Sequence, residues 1–111
     1  MIEINVKDPW FTFIKNGCKK IEGRLNKGKF ALLKKGEIIK FNNNNNYVTC
    51  RIIKIKKYIS FKEYLSQEGL KRTLPGIKTI EDGVNEYYKF YNEEDEYKYN
   101  ILAIYIKRLK D

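Results

Sequence analysis

The sequence predicts an α+β fold: a small mixed β-barrel flanked by two to three short helices. Three observations carry this. Residues 1–6 alternate through Ile2, Ile4 and Val6, and residues 101–109 are apolar on both faces through Ile106, as a central strand is. The apolar stretch 47–58 changes phase, with Val48, Cys50 and Ile52 on one face and Ile53 and Ile55 on the other. One extra residue near Ile52 and Ile53, a β-bulge, restores a continuous inward face where a sheet curls. Helix-capping patterns, Ser60 with Glu63 and Thr79 with Asp82, open two amphipathic stretches between the strands. At 111 residues the chain, 1–111, forms a single domain with one core.

The elements follow in order. After the first strand, Asp8 caps a helix with Pro9 at its first position and Gly17 beyond its end, and Trp10, Phe13 and Ile14 form one apolar stripe. The next strand places Lys20, Glu22 and Arg24 on one face and Ile21 on the other, with Lys19 at its entry. Residues 27–35 read as a turn plus a short strand, 38–41 as a strand, and the asparagine run 42–46 as a hairpin tip. Arg51, Lys54 and Lys56 decorate the outer side of strand 47–58. Ser60 caps a helix that runs through Gln67 and stops at Gly69. Glu68 falls in its last turn, where a carboxylate opposes the helix dipole, a placement that invites a functional explanation. Residues 70–78, with Leu74-Pro75-Gly76, read as a loop. Thr79 caps a helix to about residue 91 with Ile80, Val84, Tyr87 and Tyr91 inward, weakened slightly by Gly83. Residues 93–96 read as a solvated acidic loop, and 101–109 closes the barrel against the first strands.

Composition narrows the chemistry. The chain has no histidine, which excludes Ser–His–Asp and Cys–His nucleophile systems and most zinc sites. Cys18 and Cys50 have no CxxC spacing and are expected to be core thiols. No metal site and no cofactor is expected. No window approaches the ~20 apolar residues of a membrane span, and Glu3, Asn5, Lys7 and Asp8 break any apolar run at the start, so an intracellular, soluble protein without a membrane partner is expected. The net charge is +9, and residues 1–60 carry 14 Lys or Arg against 4 Asp or Glu, so the basic field belongs to the first half. Such charge favours a polyanionic partner.

The candidate site is Gly17-Cys18-Lys19-Lys20-Ile21-Glu22-Gly23-Arg24. Lys20, Glu22 and Arg24 project together, with Lys19 leaning over them, so several cations flank one carboxylate, an arrangement suited to an anionic or hydrogen-bonding ligand. The same residue types also fit a surface strand with one exposed ion pair. Trp10 could also line the rim of a pocket.

Taken in order, a strand, a helix with Trp10 and Ile14, the pattern Gly17-x-Lys19-x-x-Glu22-x-Arg24, Gly36-Glu37-x-Ile39, Tyr58-Ile59-Ser60-Phe61, Gln67-Glu68-Gly69, Leu74-Pro75-Gly76 and a closing strand resemble the ASCH domain, a family of PUA-like β-barrels, over essentially the whole chain. The resemblance implies a cleft between barrel and helices that binds RNA or a nucleotide or nucleoside, with the Lys19-x-x-Glu22-x-Arg24 strand on its floor. It also implies an alternative. Small bacterial members hydrolyse N4-acetylcytidine with a lysine, a threonine three residues later and a distant glutamate, and others are proposed to cleave RNA. Lys19 matches the first position and Glu68 the last, while Glu22 stands where those hydrolases carry threonine, so Lys19, Glu22 and Glu68 are the candidate catalytic set of a hydrolase. Lys20 and Arg24 favour a neutral Lys19 that acts as a base and Glu22 favours a charged one, which the sequence leaves open; charged, Lys19 would clamp a phosphate or carbonyl oxygen with Arg24 offering bidentate contacts, and Trp10 or Tyr58 could stack a base.

Overall fold

Five strands, β1 (Ile2–Asn5), β2 (Ile21–Leu25), β3 (Ile38–Asn43), β4 (Asn46–Tyr58) and β5 (Ile101–Arg108), make one mixed sheet in the order β1-β3-β4-β5-β2 in the computed structural model, which describes residues 1–110. β1 runs parallel to β3, and the other three pairings are antiparallel. The helices are α1 (Trp10–Lys15), α2 (Phe61–Glu68), α3 (Leu70–Thr73), α4 (Ile80–Tyr88) and α5 (Glu93–Tyr99), with a 3-10 turn at Gly28–Leu32.

The α+β class and the curled small-barrel architecture are as the sequence predicts, but β1 and β2 are the two edges and do not pair with each other. The sheet is a half-barrel in which β5 pairs with β4 and β2 and not with β1. The 3-10 turn lies between the edges: it follows β2 directly, and the Lys29 ammonium donates to the Glu3 carbonyl of β1 at 3.0 Å. Residues 27–35 therefore hold this turn in place of the expected strand.

β5 is buried on both faces, so the sheet separates two apolar layers. Leu102, Ile104 and Ile106 join Ile39, Phe41, Val48, Cys50 and Ile52 under Phe11 and Ile14 of α1. Ile101 and Ala103 join Ile21 and Leu25 under Phe61, Tyr64 and Leu65 of α2 and Tyr87 of α4. The bulge falls where the phase change predicts it. The register passes from Ile52↔Ile106 to Lys54↔Tyr105, leaving Ile53 as the extra residue, 45% exposed. Ile55 then packs against the same layer as Ile52.

The described residues hold five α-helices where two or three were expected. The loop assigned to 70–78 contains α3, because Gly69, at φ +85°, ends α2 and lets the chain restart a helix at once. The acidic stretch 93–96 is the start of α5. Its first turn is capped by Asn92, whose side chain accepts the Asp95 N–H at 2.8 Å, and four acidic residues there complement the helix dipole. Glu96 is buried, not solvated, and α4 stops at Tyr88, short of residue 91. Asp8 lies one residue further out than a standard cap and accepts both the N–H and the hydroxyl of Thr12. Cys50 is a core thiol, whereas Cys18, just beyond the α1 stop at Gly17, is exposed. Among the described residues no helix is long and apolar enough to cross a membrane.

Candidate functional site

β2 is an edge strand whose side chains divide between the two layers. Ile21 and Leu25 enter the helical layer, while Glu22 and Arg24 lie opposite Ile104 and Leu102 and face the other side. Gly23 is required by contact: a Cβ there would sit 2.8 Å from the Tyr64 ring. The strand is thus buried along nearly its whole length, unlike a solvated surface strand.

Lys19 precedes the strand and turns its ammonium inward. It donates to the Ile21 carbonyl at 2.9 Å and to the Thr73 carbonyl of α3, lies 3.3 Å from Glu22 Oε1, and sits 5.9 Å from the centre of the Trp10 ring. The other carboxylate oxygen of Glu22 receives Arg24 Nε at 2.9 Å and Nη2 at 2.7 Å. Burial pulls Lys19 below the ordinary lysine value, against the opposing pull of Glu22. Burial pushes Glu22 up, but Arg24 and then Lys19 outweigh it and hold the carboxyl below the usual carboxylate range. Arg24 is raised, since Glu22 and Tyr91 overcome the cost of its burial. The three groups form one connected chain, with Glu22 held between Lys19 and Arg24.

This chain lines a cavity of about 870 Å³ at the free edge of β2, bounded also by Trp10, by Asn42–Asn44 of the β3–β4 hairpin and by Phe90 and Tyr91 after α4. Its volume falls in the range of small-ligand sites. Its charges balance: Lys7, Lys19 and Arg24 are matched by Asp8, Glu22 and Glu86. The expected basic cleft is therefore polar and close to neutral. Phe90, Tyr91 and the asparagines were not identified in the sequence as site residues. Tyr91 signalled only a core stripe, and the asparagine run only a turn.

Of the residues singled out in the sequence, Trp10, Lys19, Glu22 and Arg24 meet at this cavity. Lys20 does not: it precedes β2, its side chain is exposed, and its backbone pairs with Arg72 and Ile106. Glu68 and Tyr58 do not line the cavity either; they form a separate cluster. The Glu68 carboxylate, nearly fully buried at the end of α2, accepts Tyr58 Oη at 2.5 Å, the Tyr105 hydroxyl, and Arg72 Nη2 at 2.8 Å. Burial pushes Glu68 up, but the hydrogen bonds from Tyr105 and Tyr58 and the charge of Arg72 bring it below the usual range. Burial and the bond to Glu68 push Tyr105 up to about 12. A carboxylate that opposes the helix dipole is thus held by three donors, which joins α2 to β4 and β5. Among the described residues no group of three or more His, Cys, Asp or Glu could hold a metal ion.

A curled mixed sheet with a polar cavity at its edge, walled by helices, is the architecture of a small PUA-like domain. The ASCH domain family model matches residues 4–110, and the chain belongs to that family. It is similar to the crystal structure of hypothetical protein PH0355, at 42% identity and a TM-score of 0.90, covering 96% of this chain and 97% of that one. It is also similar to the solution structure of protein PF0455 from Pyrococcus furiosus, at 40% identity and a TM-score of 0.83, covering 99% and 98%. No curated protein matches the chain.

Proposed function

We propose that the protein is an RNA-binding module that holds one nucleotide of a single strand in the cavity and does not turn it over. The observation that carries this is the set of acceptors around Lys19. An ammonium has three N–H donors, and here three acceptors surround it: the Ile21 carbonyl, the Thr73 carbonyl and Glu22. Neither a lone pair for attack nor a donor for substrate is left over. Lys19 instead fixes Glu22, and Glu22 in turn orients Arg24. The remaining acceptor capacity of the Glu22 carboxylate suits the amine or imino N–H of a base, the Arg24 guanidinium suits a phosphate or carbonyl oxygen, and Trp10 and Tyr91 offer faces for stacking. Family membership is consistent with this reading.

The hydrolase alternative needs a neutral Lys19 and Glu68 beside it. Glu68 is engaged by Tyr58, Tyr105 and Arg72 outside the cavity, so the geometry does not favour it. The test is fluorescence anisotropy with a labelled single-stranded RNA, run beside an assay for cytidine released from N4-acetylcytidine. Arg24→Ala is expected to weaken binding about tenfold, the loss of a charge-assisted contact, and no cytidine is expected. Unchanged binding, or cytidine release that depends on Lys19, would refute the proposal.

A further inference from the structure

The cavity does not account for the net charge of +9. A second depression, of about 660 Å³, opens beside the 3-10 turn and is lined by Lys34, Lys35, Lys54 and Lys57, with Phe30 and Ile53 among them. No carboxylate lines it, and none of the four ammonium groups makes an ion pair among the described residues. The Lys54 ammonium stands 5.4 Å from the centre of the Tyr105 ring, and the like charges of Lys34, Lys35 and Lys57 around the groove repel each other and oppose compaction. An anion brought between them removes that cost.

The groove and the cavity are neighbours. Phe30 lines the groove, and the Arg24 guanidinium, which lines the cavity, stands 5.1 Å from the centre of the Phe30 ring. The Arg24–Phe30 pair therefore lies between a charge-balanced cavity with an aromatic rim and a groove whose charged residues are all lysines. These are the two environments that a base and a phosphodiester backbone require.

We propose that the groove takes the backbone of the same single-stranded RNA whose base enters the cavity, so that the ligand is an RNA chain and not a free nucleotide. The proposal rests on the base-binding reading of the cavity. Lysine point charges suit phosphates without demanding bidentate geometry, and a concave channel fits a single strand where it would not seat a flat membrane.

The test uses the full chain with a labelled ten-nucleotide RNA of mixed sequence and with the four mononucleotides, across a salt series. In one variant Lys34, Lys35, Lys54 and Lys57 become Gln. In a control the exposed Lys62, Lys71, Lys78 and Lys98 become Gln, which gives the same net charge away from both depressions. The groove variant is expected to bind the decamer at least about tenfold more weakly. Its slope of log K against log salt is expected to fall by about 0.7 per lysine that met a phosphate. Mononucleotide binding should stay within about twofold, and the control should keep most of its decamer affinity. Equal losses in groove variant and control would overturn the groove, as would a wild-type decamer no tighter than a mononucleotide with the cavity reading intact. Equally tight binding of polyglutamate would overturn RNA as its occupant. Decamer affinity that is lost in the groove variant but unchanged in Arg24→Ala would overturn the cavity reading instead, and with it the shared strand.

Discussion

Gly23→Ala is a small change with a large calculable effect. Glycine is unfavourable in a strand, and alanine there ordinarily stabilises by restricting the unfolded chain. At position 23 the sign reverses. The new methyl would lie 2.8 Å from Cε2, Cζ and Oη of Tyr64, whereas carbon atoms pack best at about 3.5–4.0 Å. The ring has nowhere to go: Tyr64 is fully buried, its hydroxyl is 3.1 Å from that of Tyr87, and it packs against the rings of Tyr58 and Tyr87. Overpacking of this kind costs about 1–3 kcal/mol, and three simultaneous clashes with a confined ring put this case near 2–3 kcal/mol. With a urea slope of about 1.5 kcal/mol/M, the unfolding midpoint should drop by about 1.3–2 M. Urea unfolding followed by Trp10 fluorescence reads this directly. The cause is isolated by Tyr64→Leu, which removes the ring tip; in that background Gly23→Ala should cost less than about 0.5 kcal/mol, a coupling well above the scatter of independent sites. An equal cost in both backgrounds would refute the steric explanation.

Other expectations follow from single groups. Glu22 and Glu68 are held below the ordinary carboxylate range, so each adds stability that is complete above the unfolded value of about 4.3 and is lost as pH falls through the lower folded value. The urea midpoint should fall as the pH drops below that unfolded value, and less steeply in Glu22→Gln; equal steepness in the variant would contradict the assignment. Iodoacetamide should label exposed Cys18 in the native protein, while Cys50, whose thiol burial pushes up to about 12, should be labelled only in denaturant; mass spectrometry distinguishes one adduct from two. Glu96 accepts the Phe61 N–H at 2.7 Å and the Tyr88 hydroxyl at 2.6 Å. Glu96→Ala leaves both donors unmatched and should cost about 2–4 kcal/mol by denaturant unfolding, with Glu96→Gln milder because its amide oxygen still accepts.

What the sequence revealed and what it hid divide by the distance over which each signal acts. The cap at Ser60, the stop at Gly69, the asparagine turn and the phase break at Ile53 are decided by neighbours, and each stands where its residues indicate. α5 was hidden because a run of four acids looks solvated; the readable sign was Asn92 three positions before Asp95. Glu96 is buried with its carboxylate bonded to Phe61, 35 positions away, and to Tyr88. The site divides in the same manner. Lys19, Glu22 and Arg24 come together as the strand pattern suggests, yet which of two adjacent lysines turns inward depends on where β2 begins and on the Thr73 carbonyl of α3. Glu68 was legible as an anomaly, but its direction is set by Tyr105 on the far side of the sequence.

The bulge at Ile53 makes β4 a strand read in two frames. Upstream, Val48, Cys50 and Ile52 supply the layer under α1; downstream, that layer is met by Ile55, while Lys54 and Lys56 lie opposite Tyr105 and Ala103. Deleting Ile53 itself would bring Ile52 and Lys54 into regular alternation and leave Lys54, Ile55 and Lys56 on their present faces, whereas a residue gained or lost elsewhere in the strand would put the residues beyond it on the wrong face. Away from the bulge the length of the strand is therefore as constrained as its composition, and insertions or deletions should be tolerated at Ile53 and at the asparagine tip far more readily than elsewhere in mid-strand.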